Sequence, residues 1–332
     1  FRQINSREGV SMAQQTKNNS AYDGYIALIS ALLLLILNII LVSGKMPTYY
    51  SGILGFMGIN LILAVSLNLI NGIAGQFSLG HAGFMAIGAY VSALISIYWK
   101  WPFIVALLCG GLAAAFIGIL IGLPTLRLKG DYLAIATLGL GEIIRVVILN
   151  LDITKGARGL GGIPQETTIF WVEAVAIVTV IVTVNLMRST HGRALLSIRE
   201  DEIAAESMGI NTTYYKVFAF AAGAFFAGVA GGLFAHVMGY IAPQNFNFMR
   251  SIEILVIVVL GGLGSITGSI VATIVLTILP EALRGFAQYR MVLYSAMLIM
   301  MMLFRPQGLL GTRELKVSDM FKFFSGGGEK DD

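Results

Sequence analysis

Long apolar runs separated by short polar stretches dominate the chain. Ten such runs lie at 25–43, 50–70, 78–98, 103–123, 131–150, 169–187, 217–239, 251–263, 266–280 and 289–304. A helix that crosses a bilayer needs roughly 20 mostly apolar residues, and hydrocarbon tolerates no unpaired backbone groups. The pattern therefore predicts an all-α integral membrane protein with about ten membrane segments. The eighth and ninth runs are short and are joined by Gly261-Gly262-Leu263-Gly264, which predicts a re-entrant hairpin or two short spans. The second and third are joined by Asn71-Gly72-Ile73-Ala74-Gly75 and predict a similar broken pair. The pattern divides the chain into an N-terminal tail (1–24), a membrane domain (25–304) and a C-terminal tail (305–332). Met12-Ala13 reads as a natural start, so the residues before it are expected to be additions to the native chain.

Composition narrows the class. Of 332 residues, 57% are hydrophobic and 12% are charged, against about 25% charged in a soluble domain. Most of the surface must then face lipid. The 39 glycines fit close helix packing and helix breaks. Net charge is +4, which in a membrane protein reflects loop Lys and Arg and implies no nucleic-acid partner. Cys109 is the only cysteine, so neither a disulfide nor a thiolate metal cluster is available.

Lys and Arg set the expected orientation. With the N-terminus inside, inner loops hold Lys17, Arg127, Lys129, Arg188, Arg193, Arg199 and Lys216, and the C-terminal tail holds Arg305, Arg313, Lys316 and Lys322. Lys45, Lys100, Lys155, Arg158, Arg250, Arg284 and Arg290 fall in outer loops. Both termini are expected on the cytoplasmic side.

The longest inner loop, 188–216, carries the most information. Its residues 194–208 have helical character. Leu195, Ile198, Ala205 and Met208 are expected on one side, with Arg199, Glu200, Asp201 and Glu206 on the others. Gly209 is placed to end the helix. A helix lying on lipid headgroups would show a mainly basic polar face. This one is mixed and rich in acid, which favours docking to a protein.

Several polar residues invite a bland reading beside a functional one. Glu142 lies within the fifth run, and Arg145 at i+3 can neutralise it; the pair is a gate or a structural clamp. It is also the single ion-coupling acid the pattern offers. Asp131 reads as a helix-start acid. His81 and His236 have no partner at metal-ligand spacing, and His191, in the 188–216 loop, reads either as a contact to a docked partner or as a solvated side chain. The Met-rich run 297–302 reads as packing material. No nucleotide-binding Gly-x-x-x-x-Gly-Lys-Ser/Thr loop is present, so any ATP must be hydrolysed by another chain, and no cofactor is implied.

Ala204-Ala205 followed by Gly209 resembles the Glu-Ala-Ala-x-x-x-Gly motif in the cytoplasmic coupling helix of ABC importer permeases. Ile203 stands in the usual Glu position, with Glu202 one place early. Further blocks at 125–145, 192–211, 216–232, 251–268 and 305–309 resemble, in order, the LivM-type permeases of branched-chain amino acid importers. The resemblance runs from about Leu54 to Gly311. It implies a bacterial or archaeal cytoplasmic-membrane permease that pairs with a LivH-type permease. Two ATPase subunits would dock on the coupling helices, and an extracytoplasmic binding protein would deliver the amino acid. It makes Arg193, Ile198, Arg199, Glu202, Ala204, Ala205, Met208 and Gly209 the expected ATPase-coupling residues.

A mostly apolar path with helix-break amides and carbonyls would pass a zwitterion through weak contacts. On this expectation Gly72, Gly75, Glu142, Arg145, Gly261, Gly262 and Gly264 face the path. Rival readings are an importer of urea or of a wider range of amino acids, an ion-coupled secondary transporter, and a membrane-embedded enzyme.

Overall fold

The computed structural model describes residues 48–128 and 130–283, with scattered positions between 289 and 308. The expected spans at 25–43 and 289–304, and both tails, otherwise lie outside the described residues.

The described chain is almost entirely helical. Helix α1 (Thr48–Asn68) continues through a π-turn (Leu69–Ile73), and α2 (His81–Leu94) ends in another (Ile95–Trp99). Then come α3 (Phe103–Thr125), α4 (Asp131–Asn150), α5 (Ile169–Arg188), α6 (Thr190–Glu200), α7 (Glu202–Ser207), α8 (Thr212–Met238), α9 (Phe248–Gly261) and α10 (Ile266–Ala282). Two short strands, β1 (Leu160–Gly161) and β2 (Tyr240–Ile241), pair antiparallel. Six helical stretches are long and apolar enough to cross a membrane: Tyr49–Ile73, His81–Trp99, Phe103–Thr125, Asp131–Asn150, Ile169–Arg188 and Thr212–Met238. This makes a multi-pass membrane protein. Of the expected ten segments, eight fall within the described residues, as these six stretches and two shorter helices, α9 and α10.

Side chains at the breaks explain where helices restart. Ser189, Asp201, Asn211, Asn247 and Ser265 each accept a hydrogen bond from a backbone N–H in the first turn of the helix that follows. A polar acceptor there satisfies a donor that has no intrahelical partner.

The core is the bundle of α1, α2 and α8. In their apolar windows 67%, 67% and 72% of residues are buried, against 22% in α4 and in α5. Glycine makes this closeness possible. A Cβ on Gly88 would overlap the backbone of Gly228, and one on Gly231 would overlap the Met85 carbonyl. With no hydrophobic drive between helices in lipid, such close packing is the main source of cohesion.

The connections sort onto two faces. Arg199 reaches Gly72 O, and Asn68 reaches Ser265, so the loops at 71–75, 189–211 and 262–265 share one face. The β1–β2 pair joins the loops at 151–168 and 239–247 on the other. Trp99 and Trp101 meet there, tilted at 42° with ring centroids 5.4 Å apart, where a membrane interface favours aromatic residues.

Between α1 and α2 the chain is not helical. After Gly75 (φ +67°) residues 76–80 run without regular secondary structure. Their backbone is satisfied by side chains. Ser78 N donates to Asn71 Oδ1 (3.1 Å), and Asn71 Nδ2 donates back to Ser78 O (3.3 Å). Leu79 N donates to Thr137 Oγ1 (3.0 Å), and Ala82 N donates to Ser251 Oγ (3.1 Å). Irregular backbone survives here because protein, not lipid, surrounds it.

Candidate functional site

The loop between α5 and α8 folds as two helices, not one. Asp201 is extended (φ −155°, ψ 110°) and caps α7 through Ile203 N and Ala204 N, at 2.9 and 3.1 Å. The expected single helix over 194–208 is corrected accordingly. The break also resets the helical phase. Leu195, Ile198 and Ala205 are buried as expected, but Met208 is 83% exposed and Ile203 is 73% exposed. Ala204 is exposed as well. Gly209 (φ +84°) ends α7 with a Schellman pair: Gly209 N donates to Glu206 O and Ile210 N to Ala205 O. Arg193 is exposed and bonds Arg188 O and Thr190 Oγ1. Glu202 pairs with Lys216 at 2.6 Å.

Arg199 ties this loop to the bundle. Its Nη1 donates to Gly72 O at 2.8 Å, and its backbone lies against Gly75. The two glycine breaks also meet each other. Asn68 Nδ2 donates to Ser265 O (2.9 Å) and Ser269 Oγ (3.0 Å), and Gly264 N donates to Asn68 Oδ1 (2.8 Å). A Cβ on Gly72 would overlap the Gly264 amide, and one on Gly264 (φ +90°) would press on the Arg199 guanidinium at 2.6 Å. Gly261 and Gly262 are buried beside them, Gly261 against Gly268. Two features far apart in sequence thus form one junction, with Arg199 seated in it. A cavity of about 250 Å³ opens next to it, lined by Gly75, Gln76, Phe77, Leu133, Ile198, Arg199, Glu202 and Lys216. Gln76 Oε1 is buried without a hydrogen-bond partner.

Polar groups at membrane depth form a second set. Glu142 Oε2 and Arg145 Nε pair at 2.7 Å on α4, apart from the junction. Arg250, expected in an outer loop, lies instead in the first turn of α9. It donates to Glu253 Oε2 (2.9 Å) and Asn60 Oδ1 (2.7 Å). The chain dips inward after β2, where Phe246 packs on Tyr90 and Phe234, so α9 starts deep. Glu173 is another acid that the run pattern passed over. It sits in α5 beside Gly58, with Oε1 buried and unbonded. The buried histidines pair with serines: Ser66 with His81 and Ser96 with His236, both at 2.8 Å. His191 lies by the rings of Tyr215 and Phe218.

A bundle of apolar spans with protein-lined helix breaks, and a folded helix pair on one face, has the build of a multi-pass membrane permease. Residues 49–304 match the family model described as "Branched-chain amino acid transport system / permease component", and the chain belongs to that family. It is similar to the high-affinity branched-chain amino acid transport system permease protein LivM of Salmonella typhimurium strain LT2 and of Escherichia coli K12. Identity to each is 39% over 258 residues, covering 67% of this chain and 61% of the relative. It is also 36% identical over 137 residues to the LivH permease protein of Escherichia coli K12, covering 40% of this chain and 44% of that protein. The chain therefore spans about three-fifths of the length of the LivM proteins it matches. No solved structure matches it.

Proposed function

We propose that this chain is one of two permease subunits of an ATP-driven importer that carries leucine, isoleucine and valine across the cytoplasmic membrane of a prokaryote. Its partner is a LivH-type permease. Two ATPase subunits dock from the cytoplasm on the coupling helices of the two permeases, which in this chain are α6 and α7, where Ile203 and Met208 project outward. A binding protein delivers cargo on the face that carries β1 and β2. Both tails, 1–24 and 305–332, belong to the cytoplasmic side.

The observation that carries this reading is the hydrogen bond from Arg199 to Gly72 O. It joins the docking loop directly to the place where both helix breaks meet. ATP binds one conformation of the ATPase pair more tightly than the other, and that difference supplies the work. Movement of α6 then draws on the junction through Arg199, and the breaks give the helices a place to bend. Arg193, Glu202, Ala204, Ala205 and Gly209 shape the docking surface. The path follows Gly72, Gly75, Gly261, Gly262 and Gly264, with Glu142 and Arg145 in its wall.

The test is uptake of radiolabelled leucine into proteoliposomes that hold this chain, its partner permease, both ATPases and the binding protein. ATP-dependent uptake that excess urea does not reduce is the expected result. An intact complex that hydrolyses ATP but takes up no leucine would discard the cargo.

A further inference from the structure

Asn60 is the twelfth of the 25 residues in the Tyr49–Ile73 span. At about 1.5 Å per residue it lies near mid-membrane, roughly 18 Å from either end. Arg250 Nη2 donates to its Oδ1 at 2.7 Å, and Arg250 Nη1 to Glu253 Oε2 at 2.9 Å. An Arg–Glu pair braced by an Asn therefore sits in the middle of the bundle. Its surroundings are apolar: the helix that carries it reads Ile252, Ile254, Leu255, Val256 and Ile257 around Glu253. Yet the Glu253 side chain is 63% exposed. An ionised group at that depth faces protein or water and not lipid.

The backbone nearby points the same way. Helix α9 starts at this level, and α2 restarts close by, where His81 meets Ser66 six residues further along α1. The two starts touch through Ala82 N and Ser251 Oγ. Discontinuous helices that begin at the bilayer middle are how transporters present positive helix ends to polar cargo.

We propose that Arg250, Glu253 and Asn60 form a mid-membrane station for the charged end of a zwitterionic α-amino acid; this deepens the importer reading above and rests on it. The cargo carboxylate meets the guanidinium, which has five N–H donors of which two are engaged by Glu253 and Asn60. The cargo ammonium meets the exposed Glu253 carboxylate. The station is neutral before and after, since one ion pair opens to make two and no net charge is placed in the membrane. Glu253 and Arg250 also compete with the cargo for each other, so it is held weakly and released. A molecule lacking either charge leaves one member of the opened pair without a partner, and its passage is disfavoured.

The single native cysteine makes the test direct. In a Cys109→Ala background, Glu253→Cys and the control Phe116→Cys are assembled into the full transporter with its partner permease, ATPases and binding protein. Phe116 is 64% exposed on the apolar face of α3. The complexes are treated with a water-soluble methanethiosulfonate. The Glu253→Cys thiol is expected to react at least ten-fold faster than the Phe116→Cys thiol, and a Glu253→Gln complex is expected to lose leucine uptake at least ten-fold. Equal rates would overturn the proposal, placing the pair against lipid or the partner permease. So would undiminished leucine uptake by an assembled Glu253→Gln complex while the wild-type complex in parallel vesicles takes leucine up. Wild-type vesicles that take up no leucine defeat the cargo assignment instead, and the ratio of labelling rates still decides whether Glu253 faces water.

Discussion

Glycine brings backbones together at two places in this molecule, with different consequences. Where α2 meets α8, Gly88 lies against Gly228, and Gly110, Gly111 and Ala114 of α3 close on the same contact. Where the two breaks meet, Gly72 lies against Gly264, and Asn68 and Arg199 fill the space between polar backbone groups. The first contact joins uninterrupted helices and serves cohesion. The second joins helix breaks whose amides and carbonyls need side-chain partners, and one of those partners, Arg199, comes from α6. Close packing alone makes a rigid pair; close packing around a borrowed side chain makes a joint that another element can move.

Substitutions can break this contrast in graded ways. Gly88→Leu has the largest expected effect. Its side chain would overlap the Gly228 backbone, which cannot shift as a side-chain tip can. The cost should exceed the about 1–3 kcal/mol of ordinary overpacking. No assembled complex is expected on size-exclusion chromatography. Gly264→Val should act differently. Its strain (φ +90°) and its clash fall on the Arg199 guanidinium, so the complex should assemble while leucine uptake drops at least ten-fold. Normal uptake by this variant would remove the break junction from the path and from the coupling.

Much of the fold is legible in the sequence because it is local. Each of the second to seventh apolar runs became a spanning helix, and Gly209 ends α7 as its position implies. What stayed hidden depends on contacts between distant segments. Both breaks can be read as Gly-rich punctuation, but nothing in Asn71–Gly75 or Gly261–Gly264 says that they touch, because the Asn68–Gly264 bond spans 196 residues. Loop assignment puts Arg250 in an outer loop because it assumes that chain between helices stays at the surface. Here the chain dips inward before α9 begins. Its partner at i+3, Glu253, repeats the Glu142–Arg145 spacing, and that was a usable signal. So was Asp201, an N-cap residue in the middle of a supposed helix; reading it would have rotated Met208 outward. Glu173 needed only notice of an acid within an apolar run.

Transmission of movement from α6 through Arg199 to the joint of the two breaks is the step we propose. It is tested most directly by the ratio of leucine taken up to ATP hydrolysed, in proteoliposomes with the wild-type chain and with Arg199→Lys. Lysine keeps the charge but has one ammonium group in place of a planar, multi-donor fork. The account predicts an assembled variant that still hydrolyses ATP and whose uptake per ATP falls at least ten-fold. An unchanged ratio in an assembled, ATP-hydrolysing complex would contradict it.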